Sequence, residues 1–179
     1  MRCTVRYAIP IALCGLLVGC TRHITVRMQQ YKLQDLGVTL LAQVQVNDLR
    51  TPGIAASKRE AAFGVPMGNV TFEPPEAKLV KNVLEVELTK LMQEKGIQTK
   101  KDLSCDMLEF GVNTNTTPVY WDVIARINLI LKQSGKEYNL FGTHTERTYI
   151  WPGETVIKKT VDESFNKIIA TLKQVAMEF

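Results

Sequence analysis

Four cysteines, two histidines and one Ser-x-x-Lys run are the residues of this 179-residue chain best equipped for chemistry. A cysteine can be a nucleophile, a metal ligand or half of a disulfide, and an even count invites the last reading. Cys3 and Cys14 fall in an amino-terminal apolar segment and Cys20 closes it, which leaves Cys105 alone. Cys105 stands on an apolar strand face beside Leu103 and Met107 and reads as a buried structural thiol. His23 and His144 have no Cys or acidic cluster at ligand spacing, so neither a metal nor a cofactor is expected. Ser164-Phe165-Asn166-Lys167 has the spacing of a serine nucleophile activated by lysine. That chemistry also needs a Ser-x-Asn element and Lys-Thr-Gly on a strand, and Lys159-Thr160-Val161 is not the latter. An exposed helical pair flanking a core Phe165 is the plainer reading. No catalytic set emerges, and the chain is not expected to be an enzyme.

The amino end carries a different message. Arg2 and Arg6 precede an apolar run from Ala8 to Val18, the layout of a signal peptide and too short for a comfortable membrane-spanning helix. The run ends in Leu17-Val18-Gly19-Cys20, which resembles the lipobox of bacterial lipoproteins. The resemblance implies cleavage before Cys20 by signal peptidase II and a lipid on the Cys20 sulfur, so that the chain is held on a membrane. The alternatives are a plain secretory signal that contains a cysteine, or a short anchor helix. Thr21, rather than Asp, follows Cys20; by the enteric sorting rule this favours the outer membrane, facing the periplasm, over the inner membrane. Loss of residues 1–19 leaves 20 basic against 18 acidic residues, and the net charge falls from +4 to +2. That balance gives no electrostatic footprint for nucleic acid.

The rest is an ordinary globular composition, 45% hydrophobic and 22% charged. It excludes a disordered chain, a collagen-like repeat and a multi-span membrane protein. Residues 20–35 read as lipidated cysteine and tether, with a short edge strand around Ile24–Met28 as a second reading. Residues 36–179 read as one domain. Period-two alternation from Val38 to Val46 marks a strand with one buried face, ended by the turn chemistry of residues 47–53. Residues 53–74 are a long connection in which at least one short strand, or a functional loop, is expected. Pro74-Pro75-Glu76 opens a helix whose apolar stripe runs from Leu79 to Met92 and which Gly96 stops. Leu103–Val112 alternates but slips between Met107 and Leu108, as a bulge would make it. Asn113 to Pro118 reads as a loop. Val119–Gln133 is the cleanest strand, and Ser134-Gly135 turns it into Tyr138–Tyr149. Thr160-x-x-Glu163 reads as the capping box of a second helix.

This order implies an α+β two-layer sandwich: a mainly antiparallel sheet of four to five strands with two amphipathic helices on one face. The arrangement resembles the YajG-like bacterial lipoproteins. The features that carry the resemblance are the lipobox, the strand Val38–Val46 running into Asp48-x-Arg50, Phe63-Gly64, the helix Lys78–Lys95 ending at Gly96, the long hairpin and the terminal helix. Related two-layer lipoproteins are accessory parts of envelope machines. The resemblance therefore implies a non-enzymatic binding or assembly role with an envelope protein partner. The rival expectation is a carrier of a lipid or small apolar ligand. Candidate partner contacts are Asp48, Arg50, Tyr120 and Trp151. For Asp48 and Arg50 the plainer reading is an Asp turn with a local ion pair. For Tyr120, Phe141, Tyr149 and Trp151 the alternatives are docking aromatics or simple packing of a strand end.

Overall fold

The structure, a computed structural model, describes residues 23–28, 39–51, 57–60 and 65–175. Cys20, the lipobox residues Leu17, Val18 and Gly19, and Phe63-Gly64 lie outside them. The chain order is β1 (Ile24–Arg27), β2 (Ala42–Asp48), β3 (Lys58–Glu60), β4 (Pro66–Glu73), α1 (Glu76–Glu94), β5 (Lys101–Thr116), β6 (Trp121–Gln133), β7 (Lys136–Thr148) and α2 (Glu154–Val175).

The class is α+β, as expected, but the sheet has seven strands and mixed pairing. β5, β6 and β7 form the expected antiparallel meander. Three ladders are parallel: β1 on β4, and both β2 and β3 on β5. The long strand β5 makes this arrangement work. Its first half pairs with β2 and its second half meets β3, so two separate segments share one edge of it. β1 is the edge strand of the second reading, so residues 24–27 belong to the sheet rather than to a tether, and β3 and β4 fall in the 53–74 connection where at least one short strand is expected. β1 and β3 have four and three residues, fewer than an alternating pattern needs to stand out.

Local chemistry explains most boundaries. The slip in β5 is a register shift at Leu108, which has no partner on β6 and is left exposed. β5 continues to Thr116, so the expected loop from Asn113 is largely strand. Ser134 and Gly135 both take positive φ, the demand of a two-residue hairpin turn. α1 begins directly after Pro75, and Gly96 leaves it at φ +71°. The second helix starts earlier than its expected cap. Glu154 opens α2 just after Pro152-Gly153, and Ile157 donates its N–H to the Gly153 carbonyl. Thr160 is therefore interior, and its hydroxyl donates to the Val156 carbonyl at 2.7 Å. The buried stripe of α2 starts in that earlier turn: Ile157, Val161, Phe165, Ile168 and Leu172 are all buried.

Both helices send their stripes into one hydrophobic cluster with the alternating faces of β5 and β6. Phe110 is its hub, edge-on to Phe72 at 5.2 Å and tilted against Phe165 at 6.1 Å. Each fully buried large side chain of this kind contributes about 1.5–3 kcal/mol. The helices do not share one site. α2 covers β6 and β7 and reaches β1. α1 lies at β2, where Thr89 Oγ1 accepts the N–H groups of Leu41 and Ala42, and the buried Glu85 Oε1 accepts that of Val44 at 2.9 Å. The Ala42 and Val44 donors belong to the edge of β2 that faces away from β5, so helix side chains close a strand edge that would otherwise be open.

Candidate functional site

The aromatic candidates lie where the β6–β7 ladder ends. Trp121 pairs with Thr148 in the last row, so the turn before β6 and the turn after β7 lie side by side. Thr117 ties the first turn: its hydroxyl donates to the Tyr120 carbonyl and accepts the Tyr120 N–H. Thr148 ties the second, donating to the Ile150 carbonyl at 3.0 Å. The rings pair across the two turns, Tyr120 with Tyr149 at 6.3 Å and Trp121 with Trp151 at 5.8 Å. Arg147 lies over the Tyr120 ring with its guanidinium carbon 3.8 Å from the centroid. Asp122 holds that guanidinium by two hydrogen bonds, of 2.8 and 3.1 Å. The Arg147 hydrogen bond keeps the Asp122 carboxyl below its ordinary pKa. The tip of this buttressed cluster is apolar. Val119 is 69% exposed, Tyr149 69%, Ile150 73% and Trp151 44%.

Tyr120 and Trp151 are thus brought together. Asp48 and Arg50 are placed elsewhere. Arg50 grips the Asp48 carboxylate with Nε at 2.8 Å and Nη2 at 2.6 Å, and its Nη1 donates to the Phe110 carbonyl. The Arg50 hydrogen bond holds the Asp48 carboxyl below its usual range. Only 10% of the Arg50 side chain is exposed. Phe110 pairs with Ile127, six rows from Trp121, or about 20 Å along the strand. The local ion pair is what is present here, and it fastens the end of β2 to β5 beside the bulge.

The sequence reading missed Val119, Ile150, Asp122 and Arg147. Alternation with Val123 and Ala125 puts Val119 on a buried strand face, but β6 begins two residues later. Ile150 follows the strand and is exposed for the same reason. Asp122 and Arg147 are 25 positions apart and meet only through the hairpin register, although both fall on the polar phase of their strands.

A second surface is the sheet face turned away from α2. Gly142 and Ala125 face that helix, so the residues between them in phase face outward. This outward face carries Phe141, 50% exposed, opposite Asn128. It also carries a polar chain in which Asn47 and Lys132 both bind Asp106, and Lys132 reaches Glu137.

The remaining chemical candidates have structural partners. Ser164 is fully buried, and its hydroxyl donates to the Thr160 carbonyl; Lys167 is exposed and donates to the Thr143 carbonyl. Cys105 is buried, and burial pushes its thiol up to about 12. His23 Nδ1 accepts the Asn69 N–H at 3.3 Å, and His144 faces Glu146. Among the described residues no group of three or more His, Cys, Asp or Glu is placed to hold a metal ion. No described helix is long and apolar enough to cross a membrane.

No protein-family model matches the chain, and no curated protein matches it. A solved structure described as an uncharacterised protein is similar at a TM-score of 0.38 with 9% identity, over 88% of this chain and 96% of that one. The lipoprotein GNA1162 from Neisseria meningitidis is similar at a TM-score of 0.27 with 15% identity, over 76% of this chain and 99% of that one. Likenesses at these TM-scores assign neither fold nor function to this chain.

Proposed function

We propose that this chain is a YajG-like lipoprotein of the bacterial envelope, anchored through a lipid on Cys20 to the periplasmic side of the outer membrane. There it acts as a non-enzymatic binding or assembly accessory of an envelope protein complex. The Leu17-Val18-Gly19-Cys20 run supports the anchor. The observation that supports the binding role is the outward sheet face, where an exposed Phe141 stands among Asn128, Asn139 and Glu109. An aromatic anchor inside a polar surround is the composition of a non-obligate protein interface.

A photo-crosslinking amino acid at position 141, introduced in cells, tests this reading. One discrete adduct in the membrane fraction is expected, and it should be lost when Asn128 and Asn139 are replaced by Lys. Absence of any adduct at native expression removes the support for the sheet face. Cys20→Ser should release the chain from washed membranes, and continued sedimentation would overturn the anchor.

The rival reading, a carrier of a lipid or small apolar ligand, has one observation of its own. A groove of about 1300 Å³ runs between β2 and α1, lined by apolar Leu40, Val44, Val46 and Ala77 and by polar groups that include Lys78 and Lys81. Native mass spectrometry of the purified chain separates the two readings. A retained amphiphile favours the carrier.

A further inference from the structure

We propose that the apolar tip formed by Val119, Tyr149, Ile150 and Trp151 is a second membrane contact, which lies in the interface of the bilayer that carries the Cys20 lipid. The proposal rests on the lipid-anchor reading and adds an orientation to it.

The topology puts the start of β1 and the tip toward the same end of the sheet. Ile24 pairs with Val70, and the adjacent Asn69 pairs with Lys58; Lys58 pairs with Asn113, Asn113 with Ile124, and Ile124 with Thr145. Through these ladders β1 runs in the same sense as β6, with β4, β3 and β5 between them. The chain therefore enters β1 one row beyond Ile124, in the row of Ala125, four residues from the Trp121–Thr148 row beside the tip.

Chain length supplies the second argument. Because Ile24 already belongs to the sheet, only Thr21, Arg22 and His23 separate it from Cys20. Four residue steps span at most about 14 Å. The headgroup layer of one leaflet takes up roughly 5–8 Å of that. A tether of 15 residues would let the domain stand clear of the lipid, whereas four residue steps from a lipidated Cys20 would not.

The chemistry of the tip fits such a surface. Tyr and Trp favour the membrane–water interface, where an apolar ring body and a polar N–H or O–H are both satisfied. Val119 and Ile150 are both largely exposed, and their side chains carry no polar group. Arg147 and Asp122 neutralise each other behind the rings, so this pair adds no net charge at the tip. The outward sheet face with Phe141 then stands away from the membrane plane, open to a partner.

Trp121 and Trp151 are the two tryptophans of the chain, so intrinsic fluorescence reports the tip directly. The lipidated chain is reconstituted into phosphatidylethanolamine–phosphatidylglycerol vesicles, with or without lipids brominated near the headgroup. The expected result is a blue-shifted emission that brominated lipid quenches, with the quenching lost in Ile150→Asp and in Val119→Asp. Both positions are exposed, and unchanged circular dichroism verifies the fold of each variant. Unquenched emission in the wild type, or quenching retained in both variants, overturns the proposal. An emission shift produced by a solubilised envelope protein but not by vesicles also overturns it, in favour of a protein partner. The unlipidated Cys20→Ser chain at raised vesicle concentration keeps the two readings distinguishable. Quenching there supports the tip even if mass spectrometry finds no lipid on Cys20. Its absence alongside a quenched lipidated chain shows a contact that depends on tethering, as the proposal also allows.

Discussion

Gly142 on β7 lies directly against the Ser164 backbone of α2, so close that a Cβ on it would collide with the Ser164 carbonyl oxygen. Ile168 Cγ1 would lie 3.0 Å from that added Cβ. This contact sets the distance between helix and sheet above β6 and β7. Gly142→Ala should therefore destabilise the fold by about 1–3 kcal/mol through forced separation of the two layers. Gly111→Ala is the control, because its nearest neighbour would be the Ser57 hydroxyl at 3.9 Å. Chemical denaturation should show a lower midpoint for the first variant and an unchanged or slightly raised one for the second.

That contact also shows where sequence reading ends. A glycine within a polar-looking hairpin strand says nothing about which helix presses on it. The strongly periodic elements were legible: β6, the buried phase of β2, the stripe of α1, and the bulge after Met107. The parallel ladders were not, since nothing local in Lys58–Glu60 or Ile24–Arg27 marks a partner far along the chain. Thr160-x-x-Glu163 misled for a physical reason. A threonine hydroxyl satisfied by the carbonyl four residues back is at ease inside a helix, and the pattern does not reveal which role it plays. At the candidate site, Tyr120 and Trp151 were visible as residue types. The Arg147–Asp122 buttress depends on the β6–β7 register.

Glu85 is a buried carboxylate that accepts the Val44 N–H, with Lys81 3.7 Å away. Glu85→Ala should leave that edge donor unpartnered and cost about 2–3 kcal/mol. Glu85→Gln keeps an acceptor of the same reach and should cost about 1 kcal/mol or less. Equilibrium unfolding of the two variants measures the difference. Equal losses would mean that the negative charge, rather than the acceptor, matters at β2.

Asp48 and Asp106 both have carboxyls held below their ordinary values. The Arg50 hydrogen bond does this for Asp48; for Asp106 the Lys132 hydrogen bond comes first and the Asn47 one second. A carboxylate whose folded pKa is depressed adds stability that is complete above its unfolded pKa of about 4 and disappears as pH falls through the folded value. These groups should leave the melting temperature level from pH 8 to pH 5 and lower it below pH 4. In Asp48→Asn and Asp106→Asn the curve should start lower at neutral pH and fall less steeply in acid. A scan of melting temperature against pH for the three proteins checks both features.

Cys105 lies between Val46 on β2 and Leu131 on β6, on the central strand and within the hydrophobic cluster. Burial, and then the Asp106 charge, push its thiol up to about 12. At pH 8 the thiolate fraction is then on the order of one part in ten thousand, and no solvent path leads to the sulfur. In a chain with Cys3, Cys14 and Cys20 replaced by Ser, a thiol reagent at pH 8 should label nothing under native conditions and one site in denaturant. The slow native rate should follow the opening free energy as denaturant is added, because the reagent reaches sulfur only in opened molecules. Cys105→Ala should be tolerated at a cost of about 1 kcal/mol, whereas Cys105→Ser should cost about 1–3 kcal/mol more by burying a hydroxyl without a partner. Rapid native labelling would mean that β5 is exposed along its edge, contrary to the pairing of β2 against it.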